Sequence, residues 1–191
     1  AVIPFTDGFH IIAGAAGSTA LSQLDQPRLF RLRDRLLALA PSYDRVVLDL
    51  GAGVDTSVRS LAAASGMVLV VATDEPTSLP DAYAFIKLLT AQGRGHLVRL
   101  VINMAASARE GERTYAKLLK ACETFLKLSP PLAGIIRRDD KVRDAIRHQT
   151  ALLTRHPASE ALADVEAIAA RLLSPAPAAA QDFLSFLWGG G

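Results

Sequence analysis

The sequence predicts an α/β fold, a mainly parallel sheet flanked by helices. Short β-branched apolar runs recur at residues 45–50 (RVVLDL), 67–73 (MVLVVAT), 97–104 (LVRLVINM) and 132–136 (LAGII). Between them lie longer stretches whose apolar residues fall at helical spacing. The run MVLVVAT is apolar almost throughout, the composition of a strand covered on both faces. Parallel strands need crossover connections, and helices supply them.

Taken in order, residues 2–5 are weakly extended and 8–13 (GFHIIA) read as a strand. Residues 27–40 read as a helix with Leu29, Leu32, Leu36 and Leu39 on one face, Asp25 as its cap and Pro41 as its stop. Strand 45–50 closes on the turn Gly51-Ala52-Gly53, and Asp55 or Thr56 then caps a short helix that Gly66 breaks. After strand 67–73, Ser78 and Pro80 open a helix with Ala82, Phe85, Ile86 and Leu89 on its apolar face, closed by Gly93. Strand 97–104 precedes a long helix to about residue 128, with Tyr115, Leu118, Leu119, Cys122 and Phe125 on one stripe. Strand 132–136 leads to a helix capped by Asp139 and carrying Val142, Ala145 and Ile146. Ser159 starts the last helix, with Leu162, Val165, Ile168 and Leu172 at helical spacing.

Residues 1–173 are expected to form a single α/β domain. The stretch 174–180 (SPAPAAA) reads as a linker. Phe183, Leu184, Phe186, Leu187 and Trp188 follow as an apolar tail. Docking on the domain is the plain reading of this tail. The alternative is a short anchor for a membrane surface or a protein partner, although the tail holds no basic residue.

Composition narrows the function. A chain of 191 residues, 50% hydrophobic and 21% charged, belongs with soluble globular domains. A net charge of +2 and 6% aromatic residues argue against a specific nucleic-acid surface. Cys122 is the single cysteine, so neither an internal disulfide nor a cysteine-rich zinc site is available, and a cytoplasmic setting is expected. His10, His96, His148 and His156 lack metal-ligand spacing. No apolar run approaches the roughly 18 residues of a membrane span, and the N-terminus lacks a signal-peptide layout.

Ligands of parallel sheets sit beyond the carboxyl ends of the strands. That rule points to Gly14, Gly51, Gly53, residues 73–78, Asn103 and residues 137–139. The Gly-rich stretch at residues 14–19 (GAAGST) has the glycines and hydroxyls of a phosphate loop but no lysine, and the first lysine in the chain is Lys87. It therefore reads as a strand-end turn. In VVLDLGAG, Asp49 ends an apolar strand, and its carboxylate can hold magnesium or the metal's water shell. The alternative for Asp49 is a structural residue capping the following turn. Cys122 reads as packed core, and His148 and His156 as solvated. Arg137, Arg138, Lys141, Arg143 and Arg147 form a basic run whose plain reading is a solvated helix face. An acidic partner, a nucleotide phosphate or DNA bound without sequence preference is the functional alternative.

The block at residues 43–89, with Tyr43-Asp44, Asp49, Gly51-Ala52-Gly53, Glu75-Pro76-Thr77-Ser78 and Asp81-Ala82-Tyr83, resembles the MinD/ParA-type ATPases with a deviant Walker A motif. Asn103 and the later stretch with Gly134, Asp139, Val142 and Ala145 extend the likeness over residues 8–173. The branch it most resembles is the one that regulates flagellar number and placement, the FlhG/FleN-like proteins. The resemblance implies a P-loop NTPase-like fold. It implies Asp49 as the Walker B acid near magnesium and Gly53, beside Gly51, as the switch II glycine. It also implies Asn103 near the adenine, and Arg137, Arg138 and Asp139 in the adenine-side loop, where Arg137 replaces the usual proline. Family members begin with a strand, a Lys-Gly-Gly-x-Gly-Lys-Thr loop and a switch I aspartate. The resemblance places these before residue 1, so the chain corresponds to the C-terminal two-thirds of such a domain. Intact members use ATP and magnesium and form homodimers. Without the loop lysine and its amide cradle, this chain alone is expected to bind ATP weakly or not at all and not to hydrolyse it. Its expected role is a partial ATPase of spatial positioning, peripheral at the inner membrane surface. The alternative is a non-catalytic interaction module that keeps the fold.

Overall fold

The structure, a computed structural model, describes residues 2–6, 8–14, 25–51, 53 and 55–173. Most of the Gly-rich stretch, the linker and the apolar tail lie outside the described residues. The chain divides into two compact units, Ala1–Ser65 and Gly66–Gly191.

In the first unit, β1 (Ile3–Thr6) and β2 (Phe9–Ile11) pair antiparallel, with Ile3 opposite Ile11 and Pro4 opposite His10. This corrects the expectation that residues 8–13 act as a strand of the parallel sheet. Only Asp7 and Gly8 separate β1 from β2, and so short a connection permits only a hairpin. Gly8 takes the positive φ (+76°) that the turn requires. Helix α1 (Gln26–Leu39) starts as the sequence indicates: the Asp25 carboxylate accepts the Arg28 N–H at 2.8 Å, and Pro27 stands in the first turn. A 3-10 turn at Ala40–Ser42 ends it. The Tyr43 hydroxyl meets His10 Nδ1 at 2.9 Å, tying the residues after α1 back to the hairpin. Helix α2 (Thr56–Ala63) buries Val58, Leu61 and Ala62.

Residues 45–50 form no ladder, contrary to their strand-like composition. Val47 is 88% exposed and Val46 47%. A strand exists only as a member of a pair, and the described residues offer this segment no partner.

The second unit holds a three-stranded parallel sheet in the order β3 (Val68–Ala72), β4 (Val98–Ala105), β5 (Leu132–Arg137). In register, Val68 faces Val98, Ala72 faces Ile102, and Ile102 faces Ile135. The crossovers are α3 (Ser78–Ala91) and α4 (Ala108–Leu126). After β5 come α5 (Asp140–Arg147), a short α6 (Leu152–Arg155) that periodicity does not announce, and α7 (Glu160–Leu173). Two glycines show where the helices lie. A Cβ on Gly111 of α4 would stand 2.4 Å from Ile135, and a Cβ on Gly134 would stand 2.3 Å from Ile168 of α7. Residues 134 and 135 point to opposite faces of β5, so α4 and α7 cover opposite faces. Ile86, Leu89, Val98, Leu100, Ile102, Leu118 and Cys122 are fully buried. On the α7 face, Val101, Ala133 and Ile168 cluster with Ile136 and Leu172.

The sheet departs from expectation at β3. Val68, Val70 and Ala72 are buried, but Met67, Leu69 and Val71 are 42%, 43% and 56% exposed. Only one face of this strand is covered. No described helix is long and apolar enough to cross a membrane.

Candidate functional site

The candidate residues divide between the two units. In the first, Asp49 is exposed and makes no hydrogen bond or ion pair among the described residues. Gly51 and Gly53 are exposed too, and Gly53 has φ +129°, a conformation that side chains resist. Gly14 ends the described part of the hairpin segment, also exposed.

In the second unit, the carboxyl ends of the three strands carry the remaining candidates. After β3, the Ser78 hydroxyl accepts the Thr73 N–H at 2.9 Å and Glu75 O accepts the Ser78 N–H, which closes the turn into α3. In β4, Asn103 Oδ1 accepts the N–H of Met104 at 2.9 Å. Met104 has φ +57° at a shift in the β4–β5 register, where the strand leaves regular pairing. The Asn103 amide nitrogen makes no hydrogen bond among the described residues.

Beyond β5, Arg137 and Asp139 are both engaged from within. The Asp164 carboxylate accepts three bonds from Arg137: from its backbone N–H (2.9 Å), Nε (2.9 Å) and Nη2 (3.0 Å). The remaining Nη1 meets Glu160 Oε1 at 2.9 Å. The bonds to Asp164 hold the guanidinium proton more firmly than usual. Burial works against ionisation of Asp164, but the Arg137 bonds outweigh it, and the carboxyl sits below its ordinary value. Asp139 Oδ1 accepts the Lys141 N–H at 2.9 Å, capping α5. Its Oδ2 accepts the Ser159 hydroxyl at 2.7 Å and the Glu160 N–H at 3.0 Å, anchoring the start of α7. These bonds, that of Ser159 foremost, lower its pKa to about 2. Arg138 is exposed, and its side chain makes no bond among the described residues.

Sequence reading identified Asp139 as a cap but missed its second helix, because Ser159 lies 20 positions away. Asp164 was missed as well. The available signal was its place four residues after Glu160 on one helix face. His148 and His156 were read as solvated; His148 is exposed, with Nδ1 2.9 Å from the Asp144 carbonyl, whereas His156 is half-buried, with Nε2 2.7 Å from the Asp144 carboxylate. Arg155 Nε joins at 2.5 Å. The Arg155 and His156 bonds hold the Asp144 carboxyl well below the ordinary carboxylate range.

A second feature lies on the outer surface of the α3–α4 pair. A shallow groove of about 230 Å³ is lined by Leu79, Pro80, Tyr83, Lys117, Leu118 and Ala121. Phe125 meets Tyr83 edge to face, with ring centroids 6.5 Å apart, and is 72% exposed. Its place on the apolar stripe of α4 predicted burial.

The family model for the cellulose biosynthesis protein BcsQ matches residues 7–173. The antiactivator FleN of Pseudomonas aeruginosa is 35% identical over 180 residues, which is 94% of this chain and 64% of FleN. The flagellum site-determining protein YlxH of Helicobacter pylori is 28% identical over 174 residues, 91% of this chain and 55% of YlxH. The chain thus spans less than two-thirds of the length of either relative. Among solved structures, a ParA family ATPase from Chlorobium tepidum superposes with a TM-score of 0.67 at 17% identity, covering 90% of this chain and 67% of that one. MinD of Aquifex aeolicus gives a TM-score of 0.61 at 18% identity, covering 78% and 62%.

Proposed function

The chain belongs to the family described as cellulose biosynthesis protein BcsQ, within the MinD/ParA group, and from that membership we propose that it takes part in controlling flagellar number or placement. The observation that carries this reading is the 35% identity to an antiactivator named FleN over 94% of the chain. In this reading Asp49 stands on the magnesium side of a nucleotide site and Gly51 and Gly53 approach its terminal phosphate. Asn103, Arg138 and Asp139 stand on the base side.

The residues described do not by themselves fit a magnesium nucleotide. A triphosphate needs several cations or N–H groups aimed at it. Arg137 is held by Asp164 and Glu160, Asp139 is an anion satisfied by two helix starts, and Asp49 is an anion with no cation beside it. No group of three metal-capable side chains occurs among the described residues. No hydrolytic step is therefore derived from these residues. Calorimetric titration with Mg-ATP is expected to show no micromolar binding, with phosphate release at background. Flagella counted by electron microscopy are expected to change in number or position when the chain is deleted from its source. Micromolar binding by the chain alone would overturn the first statement, and unchanged flagella the second.

One observation favours a second reading, a non-catalytic interaction module. The α3–α4 groove has an apolar floor, and the ammonium group of Lys117 at its edge makes no ion pair among the described residues. An apolar floor beside a cation suits an amphipathic helix with acidic residues at one edge.

A further inference from the structure

We propose that α7 guards the outer edge of β5. Asp164 and Arg171 occupy backbone groups of the strand through which β5 would otherwise pair with β5 of a second copy of this chain. Neither the nucleotide site nor the α3–α4 groove takes part. β5 lies on the far side of the sheet from β3, with its ladder on β4. The Arg138 N–H goes to the Ala105 carbonyl of β4 at 2.8 Å, so the Arg137 N–H, one residue earlier, faces the other way. The Asp164 carboxylate accepts it at 2.9 Å. At the start of the strand, Leu100 pairs with Leu132 and Val101 with Gly134, which leaves Ala133 as an extra residue in β5. The Ala133 carbonyl accepts a hydrogen bond from Arg171 Nη1 at 2.7 Å.

Asp164 and Arg171 stand about two turns apart on one side of α7. The acceptor meets a strand N–H at one end of β5, and the donor meets a strand C=O at the other. A neighbouring strand would offer the same two kinds of partner. Packing already holds α7 in place without them. Leu162 and Ile168 are buried, and Ile168 and Leu172 pack with Val101, Ala133 and Ile136. Ion pairing does not account for Arg171 either. It meets no carboxylate among the described residues, and the bond its side chain makes goes to the strand carbonyl.

The strand itself would invite a partner. Residues 132–136 (LAGII) hold no charge and no proline, and the two isoleucines favour extended pairing. A second copy supplies the same uncharged strand, and a two-fold axis lets one edge complete the other as an antiparallel pair. With α7 in place, an approaching strand meets a carboxylate and a guanidinium already bonded to the groups it needs. Charged side chains at an edge are a usual device against strand addition. A ladder this short buries little area, so pairing of an unguarded edge is weak and depends on concentration.

Analytical ultracentrifugation of the whole chain tests this. The double variant Asp164→Ala, Arg171→Ala is expected to self-associate about tenfold or more tightly than the unaltered chain. Asp164→Asn with Arg171→Lys keeps an acceptor and a donor at the two positions and should sediment like the unaltered chain. Arg137→Met removes the ion pairs with Asp164 and Glu160 but leaves the backbone N–H to Asp164, so it should also sediment like the unaltered chain. Hydrogen exchange gives a second readout. Amides of residues 133–137 in the double alanine variant should exchange faster than normal when dilute and regain protection as concentration rises. Circular dichroism checks folding, and Arg171→Ala alone, at an exposed position, shows the same change in smaller degree if the double variant does not fold. Alanine variants that sediment like the unaltered chain would sink the proposal. So would Arg137→Met associating as tightly as the double variant, or association that leaves the β5 amides unprotected.

Discussion

Asp139 shows how much of this molecule rests on single carboxylates. One oxygen caps α5 through the Lys141 N–H, and the other holds the Ser159 hydroxyl and the Glu160 N–H at the start of α7. The two helices come from separate stretches of chain, so the carboxylate fixes an angle as well as two helix ends. These bonds favour the ionised form and bring its pKa to about 2, below the ordinary carboxylate value. The unfolded chain therefore takes up this proton first as pH falls. The stabilisation is complete above about pH 4 and is lost as pH drops toward 2. Asp139→Asn keeps a capping oxygen but removes the charge. It is expected to lower Tm by a few degrees at neutral pH and to flatten the fall of Tm between pH 4 and pH 2. Thermal melts across that range check it, and an acid slope identical to that of the unaltered chain would refute the assignment. Asp144 and Asp164 are also depressed, so the slope should be reduced rather than abolished.

At the scale of elements, close approach on the two faces of β5 explains which surfaces remain free. Gly111 and Gly134 have no room for a Cβ, so α4 and α7 sit tightly against the strand on opposite sides. Helix α4 runs for 19 residues, and near its end Phe125 stays exposed although its ring meets Tyr83 of α3. A buried floor gives affinity and the lysine rim gives orientation, so the two contributions should separate on mutation. Phe125→Ser and Lys117→Glu are each expected to weaken capture of an acidic amphipathic helical peptide by about tenfold, while Tm stays within a few degrees. The lysine contribution should fade as salt rises, and the phenylalanine contribution should persist. Fluorescence anisotropy with a labelled peptide at two salt concentrations decides. Equal binding by all three proteins would remove the groove from consideration.

Across the whole molecule, local signals were legible and pairings between distant residues were not. The caps Asp25 and Asp139 and the runs of β3, β4 and β5 follow from nearest-neighbour chemistry, and they lie in the structure within a residue or two of where the sequence puts them. Residues 45–50 have strand chemistry too, but a ladder needs a partner, and composition does not say whether one is present. The helical stripe containing Phe125 gives a direction, not the length of the neighbour that covers it. The internal partners of Arg137 and Asp139 lie 27 and 20 positions away, beyond any local motif. The same division between local and distant contacts separates the two units. The second contains a sheet with helices on both faces and most of the fully buried side chains, including Ile86, Leu100, Ile102 and Leu118. Outside α2, the first buries little beyond Leu29. A unit whose described residues bury only Leu29, Val58, Leu61 and Ala62 among their apolar side chains, with a two-stranded hairpin and no ladder for its most apolar run, has little burial to offset chain entropy. Residues 66–173 alone are therefore expected to fold, with a helical circular dichroism spectrum and a single cooperative urea transition of slope about 1–2 kcal/mol/M. Residues 1–65 alone should give no cooperative transition. A sloping, non-cooperative urea curve for 66–173 would show that its sheet depends on the first unit for stability, and the division of the chain into one self-sufficient and one dependent unit would fall.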